Sequence, residues 1–504
     1  MSTNQLKAGA VLNYLIIMLN MVVGVVYTPY MLRMMGQSEY GLYSLVASVI
    51  SYLTILDLGF GNAIIRYTAK YRAEGKLKEQ YEMFGMFLVL YITIGVVAFV
   101  VGLGLYFNVN TLFGDTMTFE ELDKARVMMF FLIFNVAVTF PMSIFGSVIT
   151  AYERFVFPRI INIIRIVLNT VIMICLLEMG YKAVAMVVLQ TVFNLLTLFI
   201  NYFYCKYKLQ IKVYFRNFQW GLLKEVSIYS FWIFLNVIMD RIYWSTGQFV
   251  LGAVVGTAAV AIFAVAIQLE NLYMQFSSAI SGVFLPKVTA MVARNNDRKE
   301  ISVLFIKTGR IQYIVMSFIL SGFIVFGRNF IILWAGPEYE ETFVITLLFF
   351  VSLTIPLIQN LGITILQARN QMRFRSLLYI VIAVVSLVFQ IVLTKLYSGL
   401  GCAIAIAGAL FLGQGLIMNI YYQTKQGLDI ISFWKEIGKM SVVPLFIIIV
   451  SFFIISFISL NTWLSLGVAV ILFSAIYLPL FIHFSMNNYE RNLFIKPLIN
   501  RLRK

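Results

Sequence analysis

The sequence predicts an all-α polytopic membrane protein of about fourteen transmembrane helices, arranged as two six-helix lobes related by a pseudo-twofold axis and followed by two C-terminal helices. Three observations carry that expectation: composition, the placement of basic residues and an internal repeat. Apolar residues make up 61 % of the 504-residue chain and charged residues 12 %, whereas a soluble domain holds roughly 45–50 % and about 25 %. Mean hydropathy is +0.91. No water-soluble fold hides that much apolar surface, so lipid must solvate much of the exterior.

A spanning helix needs about 20 mostly apolar residues. Such segments fall near 9–32, 40–65, 83–106, 126–150, 160–178, 182–204, 224–251, 256–284, 306–327, 342–366, 377–396, 400–423, 440–460 and 463–484. The first is followed by RMMGQSEYG and not by a small-residue cleavage site, so it reads as an uncleaved first span. When Lys and Arg are sorted by the face their loops occupy, 31 fall on one side and 6 on the other, with Arg241 mid-span. Basic loops stay cytoplasmic, so both termini are expected in the cytoplasm. A single missed span would swap every later loop and destroy the asymmetry. The net charge of +16 therefore reports topology and anionic headgroups, not nucleic acid.

The repeat pairs span 1 with span 7. At a constant offset of 216, Asn20 matches Asn236, Tyr27 matches Tyr243 and Gly36 matches Gly252. After a short slip Tyr43 aligns with Phe263, and after one more Thr68-Ala69 aligns with Thr289-Ala290. Six helices separate the copies, so they share orientation, and the axis relating them runs along the membrane normal. The expected division is a first lobe over 1–215, a second over 216–424, and a two-helix appendix with a basic tail over 425–504.

All loops are short, the longest outward one running over 107–124, so function must lie among the helices. Ionisable groups within spans are costly, at about 2.5–3.5 kcal/mol on insertion scales, and face protein or a wet cavity. Asp57, Asp240, Arg241 and Glu270 qualify, with Arg165 nearer a span end. At 100° per residue, Asn236, Asp240, Tyr243 and Gly247 lie within about 40° of one direction, and Arg241 points about 100° away toward another helix. Asn20 and Tyr27 form the matching stripe in span 1, and Gln268 lies on a polar face of span 8. The bland alternative is interhelical hydrogen bonding, worth about 0.6 kcal/mol per contact. Pro141, Pro356 and Pro444 are candidate kinks.

Cys175, Cys205 and Cys402 are solitary, and His483 is the single histidine, so neither a disulfide framework nor a multi-histidine metal centre is expected. Walker A, HExxH and GxSxG patterns are absent, and neither a cofactor nor a catalytic residue is expected.

The segment TPYMLRMMGQSEYGLYSLVASVISYLTILDLGFGNAIIRYTAKY, with R-x-x-G-x-x-x-Y-G-L-Y, D-L-G-x-G and a closing Arg, resembles the opening of Wzx-type polysaccharide flippases of the multidrug/oligosaccharidyl-lipid/polysaccharide (MOP) exporter superfamily. DRIYWSTGQFVLGAVVGTAAVAIFAVA is similar to that family's span 7–8 signature. The resemblance implies a MATE-like, two-lobed, alternating-access fold that turns a polyprenyl-pyrophosphate-linked oligosaccharide across the bilayer, alongside envelope polysaccharide assembly proteins. It implies cationic recognition of the pyrophosphate by Arg241 and Arg66, with Arg33 and Arg165 behind them. Asn20, Tyr27, Asn236, Tyr243 and Gln268 would meet sugars, while Asp240, Glu270 and Asp57 are candidates for ion coupling. In related lipid II flippases the last two spans form a groove for the lipid tail. The competing classes are a drug/cation antiporter, a membrane-embedded polymerase or glycosyltransferase, and a non-transporting scaffold.

Overall fold

The computed structural model describes residues 2–294, 298–369 and 371–494, and every regular element among them is helical. In chain order the α-helices are α1 (Ser2–Val22), α2 (Thr28–Met35), α3 (Gln37–Ser51), α4 (Phe60–Ala73), α5 (Leu77–Phe107), α6 (Val109–Phe113), α7 (Phe119–Ala151), α8 (Val156–Glu178) and α9 (Ala183–Phe203). There follow α10 (Trp220–Trp244), α11 (Thr246–Val254), α12 (Thr257–Arg294), α13 (Arg298–Trp334), α14 (Thr342–Ile358), α15 (Leu361–Ala368), α16 (Arg373–Leu410), α17 (Met418–Tyr421), α18 (Ile430–Ile455) and α19 (Trp463–Phe484).

Among the described residues, 11 helices are long and apolar enough to cross a membrane, or 12 if the bent pair α14–α15 forms one span. Two features separate this figure from the expected fourteen. The segments 377–396 and 400–423 run together because only Tyr397 and Ser398 leave helical φ/ψ inside α16. The segment 224–251 is divided between α10 and α11.

The chain divides into two compact units, Met1–Ala264 and Val265–Lys504. In the first, the sequence signatures have local physical causes. Gly36 ends α2 at φ +83° and ψ 163°, a region open essentially to glycine alone, and so lets α3 set off in a new direction. Gly41 lies against the start of α12, where a Cβ would stand 1.8 Å from the Thr257 carbonyl oxygen. The run Tyr52–Asp57 winds as a 3₁₀ helix and stops at Leu58 and Gly59, both left-handed. Asp57 accepts a hydrogen bond of 2.8 Å from the Tyr91 hydroxyl, and Tyr91 stacks on Phe140 inside an aromatic core that includes Phe60, Phe87 and Phe145. Thr118 and Glu121 form a capping box that starts α7. The connection 209–219 lies along the start of α5: Tyr214 N–H donates to the Tyr81 carbonyl and Asn217 Nδ2 donates to Glu82 at 3.2 Å.

In the second unit, Tyr273 of α12 stacks on Phe350 of α14 with centroids 4.1 Å apart and shares a 2.7 Å hydrogen bond with Thr354. Pro356, which lacks a backbone donor, precedes a 43° bend between α14 and α15. Pro141 and Pro444 lie within helices that continue past them. A π-helical stretch, Phe411–Ile417, leads to Asn419, whose Oδ1 accepts from Gln359 Nε2 at 2.7 Å and Trp434 Nε1 at 2.9 Å. These bonds tie the bend to α18. Elsewhere in this unit, Arg310 of α13 binds Glu490 through Nε (2.5 Å) and a second nitrogen (2.9 Å), Glu436 (2.7 Å) and the Ser485 carbonyl (3.1 Å).

Candidate functional site

The polar cluster of the first unit is built where the 3₁₀ turn after α3 meets the junction of α10 and α11. Arg241, in the last turn of α10, donates from one terminal nitrogen to Thr54 Oγ1 at 3.2 Å. Its Nε is buried and has no acceptor among the described residues. No carboxylate among them lies within ion-pair distance of its guanidinium. Around it, Ser51 Oγ donates to Ser245 Oγ at 3.1 Å, and Tyr52 and Thr246 hydroxyls bond to each other. Thr246 also donates to the Arg241 carbonyl at 3.2 Å. The surrounding groups are neutral hydroxyls, which solvate a cation without neutralising it. Chemically, the arrangement leaves the charge of Arg241 available to an anion.

The other residues singled out in the sequence take varied positions. Asn20 is exposed on α1, one turn before a π-helical stretch, Val23–Tyr27, that ends at Tyr27. The Tyr27 hydroxyl is buried without a partner among the described residues. Tyr243 is buried and Asp240 is exposed. The side chain of Asn236 lies outside the described residues. Arg33 is exposed in the last turn of α2, Arg66 is exposed with its guanidinium 5.7 Å from the Tyr67 ring centre, and Arg165 is half-buried in α8. Asp57 is occupied by Tyr91. In the second unit Gln268 is half-buried. Glu270 is wholly buried, 0 % exposed, and neither of its carboxylate oxygens has a partner among the described residues. Unless protonated or paired, a carboxylate so placed is costly.

Sequence reasoning passed over Thr54, Tyr52, Ser245 and Thr246. Thr54 reaches Arg241 across 187 residues of chain while Ser245 and Thr246 follow it closely, and the only signal was their placement in the two repeat-related signatures. Between the last two spans, where the resemblance implied a groove, the second unit holds an apolar cavity of about 470 Å³ walled by α18 and α19, with Ile454, Ile458, Val468, Leu472 and Ile476 facing it and Phe326 of α13 at one side.

These helices define a many-helix membrane protein, with the half-buried Arg241 among hydroxyls in its first unit. The family model described as "Polysaccharide biosynthesis protein" matches residues 6–292, and the chain belongs to that family. No curated protein sequence matches it. Among solved structures it is similar to the lipid II flippase MurJ in an inward closed conformation, with 16 % identity, 94 % of this chain and 98 % of that one covered, and TM-score 0.71. It is also similar to an inward-facing multidrug resistance MATE family transporter of the MOP superfamily, at 13 % identity, 80 % and 99 % coverage and TM-score 0.60. A MOP superfamily transporter from Pyrococcus furiosus follows at 13 % identity, 84 % and 95 % coverage and TM-score 0.51. The fold is the MOP fold, and the proteins that share it are named as a flippase and transporters, not enzymes.

Proposed function

We propose that the chain is an alternating-access flippase for polyprenyl-pyrophosphate-linked oligosaccharide, supplying surface polysaccharide assembly from the bacterial cytoplasmic membrane, with both termini cytoplasmic. One observation carries the reading: Arg241, ringed by hydroxyls, has a guanidinium with no carboxylate at ion-pair distance among the described residues. A pyrophosphate offers the paired oxygens that a guanidinium fork binds best. In this reading residues 1–215 and 216–424 are two lobes that rock around the substrate. Arg66, Arg33 and Arg165 guide the headgroup, Asn20, Tyr27, Asn236, Tyr243 and Gln268 meet the sugars, and the α18–α19 groove takes the polyprenyl tail. Asp240 and Asp57 serve ion coupling alongside Glu270.

Glu270 supports a second reading, a cation antiporter, because a buried carboxylate with no partner among the described residues is what a cationic cargo or a coupling proton requires. Both readings are separated by reconstituting the chain with a fluorescent polyprenyl-pyrophosphate-linked glycan and scoring its transbilayer movement. The flippase reading expects movement well above protein-free vesicles and its loss in Arg241→Ala. Movement equal to that of empty vesicles, together with uptake of a lipophilic cation that Glu270→Gln abolishes, would establish the antiporter instead.

A further inference from the structure

Away from Arg241, the first unit holds a cavity of about 540 Å³ at the turn joining α8 to α9. Its walls are apolar, with Leu176 from the end of α8 and Val184, Val188 and Val192 from α9. The three valines are spaced four apart and so form one stripe along the helix. Its mouth is charged and is built by Glu39, Lys124 and Lys182. Lys124 is clamped between Glu39 and Glu120. The second Glu39 oxygen accepts the Ala183 N–H, the first of α9, at 3.4 Å. Lys182 is exposed and has no carboxylate within ion-pair distance among the described residues.

We propose that this cavity binds one zwitterionic glycerophospholipid of the leaflet opposite the basic loops. Counting Glu120, which holds Lys124 from outside the lining, the group around the mouth has two acids and two cations, and its charges balance. A headgroup with a phosphate and a primary amine matches that pattern. The phosphate goes to Lys182, the cation with no acid of its own, and the ammonium goes to Glu39 and Glu120, the acids that share Lys124. One acyl chain then covers Leu176 and the valine stripe, which continues down α9 to Val192, 45 % exposed. An anionic lipid would unbalance this mouth, and a free phosphate ion would leave the apolar wall uncovered. The placement is selective, because Lys124 and Lys182 are two of only 6 basic residues on that face of the chain. The inference rests on the membrane reading and not on the cargo assigned to Arg241.

Native mass spectrometry of the full chain, ejected from nanodiscs of equal phosphatidylethanolamine and phosphatidylglycerol, tests it. One phosphatidylethanolamine is expected to stay bound in preference to phosphatidylglycerol. Lys182→Glu, on an exposed side chain, is expected to lower that retention by about tenfold, the scale of one charge-assisted hydrogen bond. Val188→Trp, which fills the cavity, is expected to do the same, whereas Val171→Trp on the exposed face of α8 leaves retention unchanged. Thermal unfolding of each variant identifies any that fails to fold, and the wild-type headgroup preference stands as a separate readout. Phosphatidylglycerol retained as well as phosphatidylethanolamine, displacement of the lipid by inorganic phosphate, or undiminished retention in Lys182→Glu would each overturn the proposal.

Discussion

Replacing Arg310 by alanine is expected to be among the most damaging single changes to the second unit. Arg310 is 5 % exposed and Glu490 is 1 % exposed, and they are joined by two hydrogen bonds of 2.5 and 2.9 Å. Removing the guanidinium strands the Glu490 carboxylate in a place water does not reach, and also frees the Ser485 carbonyl. Breaking a buried pair from one side costs about 3–5 kcal/mol, most of it the penalty of the orphaned charge. Glu436 adds less, because it is 33 % exposed and keeps Lys439 at 2.7 Å. At about 2–4 °C per kcal/mol for a unit near this size, the unfolding midpoint should fall by about 6–20 °C. Intrinsic-fluorescence melting in one detergent, wild type against variant, measures it. The double variant Arg310→Met with Glu490→Leu removes both charges and should recover most of the loss, since an apolar pair of similar volume is often neutral or stabilising. A single variant that melts within 2 °C of wild type (about 1 kcal/mol or less), or a double variant no better than the single, would refute the orphaned-charge reasoning.

Three further outcomes follow from local geometry. Gly41→Ala pushes a methyl against the Thr257 carbonyl and should cost about 1–3 kcal/mol or more by overpacking; Gly104→Ala on α5, where a Cβ meets nothing within 4 Å, should gain about 0.5–1 kcal/mol of helix stability, and paired melting curves compare the two. Asp429 caps α18 by accepting from Ser432 N–H at 2.9 Å, so Asp429→Ala should cost about 1 kcal/mol. The Ser432 hydrogen bonds also hold the Asp429 carboxyl below its ordinary value. Its contribution is therefore complete at neutral pH and fades as pH falls through the folded value, so the gap between wild type and Asp429→Ala in a melting series should close only in acid. Thr54→Val removes a hydroxyl that accepts from Arg241; it should weaken glycan-lipid binding less than Arg241→Ala does, as read by titration of the labelled lipid.

Much of the fold was legible because its strongest determinants are local. Sustained apolar runs and basic-loop asymmetry announce a helical membrane chain. The glycines of R-x-x-G and Y-G-L-Y mark places where only a missing Cβ will do: Gly36 turns the chain at φ +83°, and Gly41 lets a carbonyl approach. The number of spans was less legible because hydropathy does not register a two-residue break such as Tyr397–Ser398. The candidate site was only partly legible for a related reason. Helical periodicity gives the direction of Arg241, about 100° from Asp240, but not the identity of what stands there, and Thr54 is 187 residues distant. Arg310 shows the limit most sharply. It lies inside the apolar segment 306–327, and charge counting asks which side a residue is on and not what stands next to it. Its acids follow 126 and 180 residues later, beyond any spacing rule. The two arginines therefore differ in a way that matters for function. Arg310 is neutralised by carboxylates from the same unit, whereas the neighbours of Arg241 among the described residues are hydroxyls, which is why the proposed function gives its charge to an anion. Arg310 is also the more buried, at 5 % exposure against the half-buried Arg241, but it is the chemistry of the neighbours that sets their charges apart.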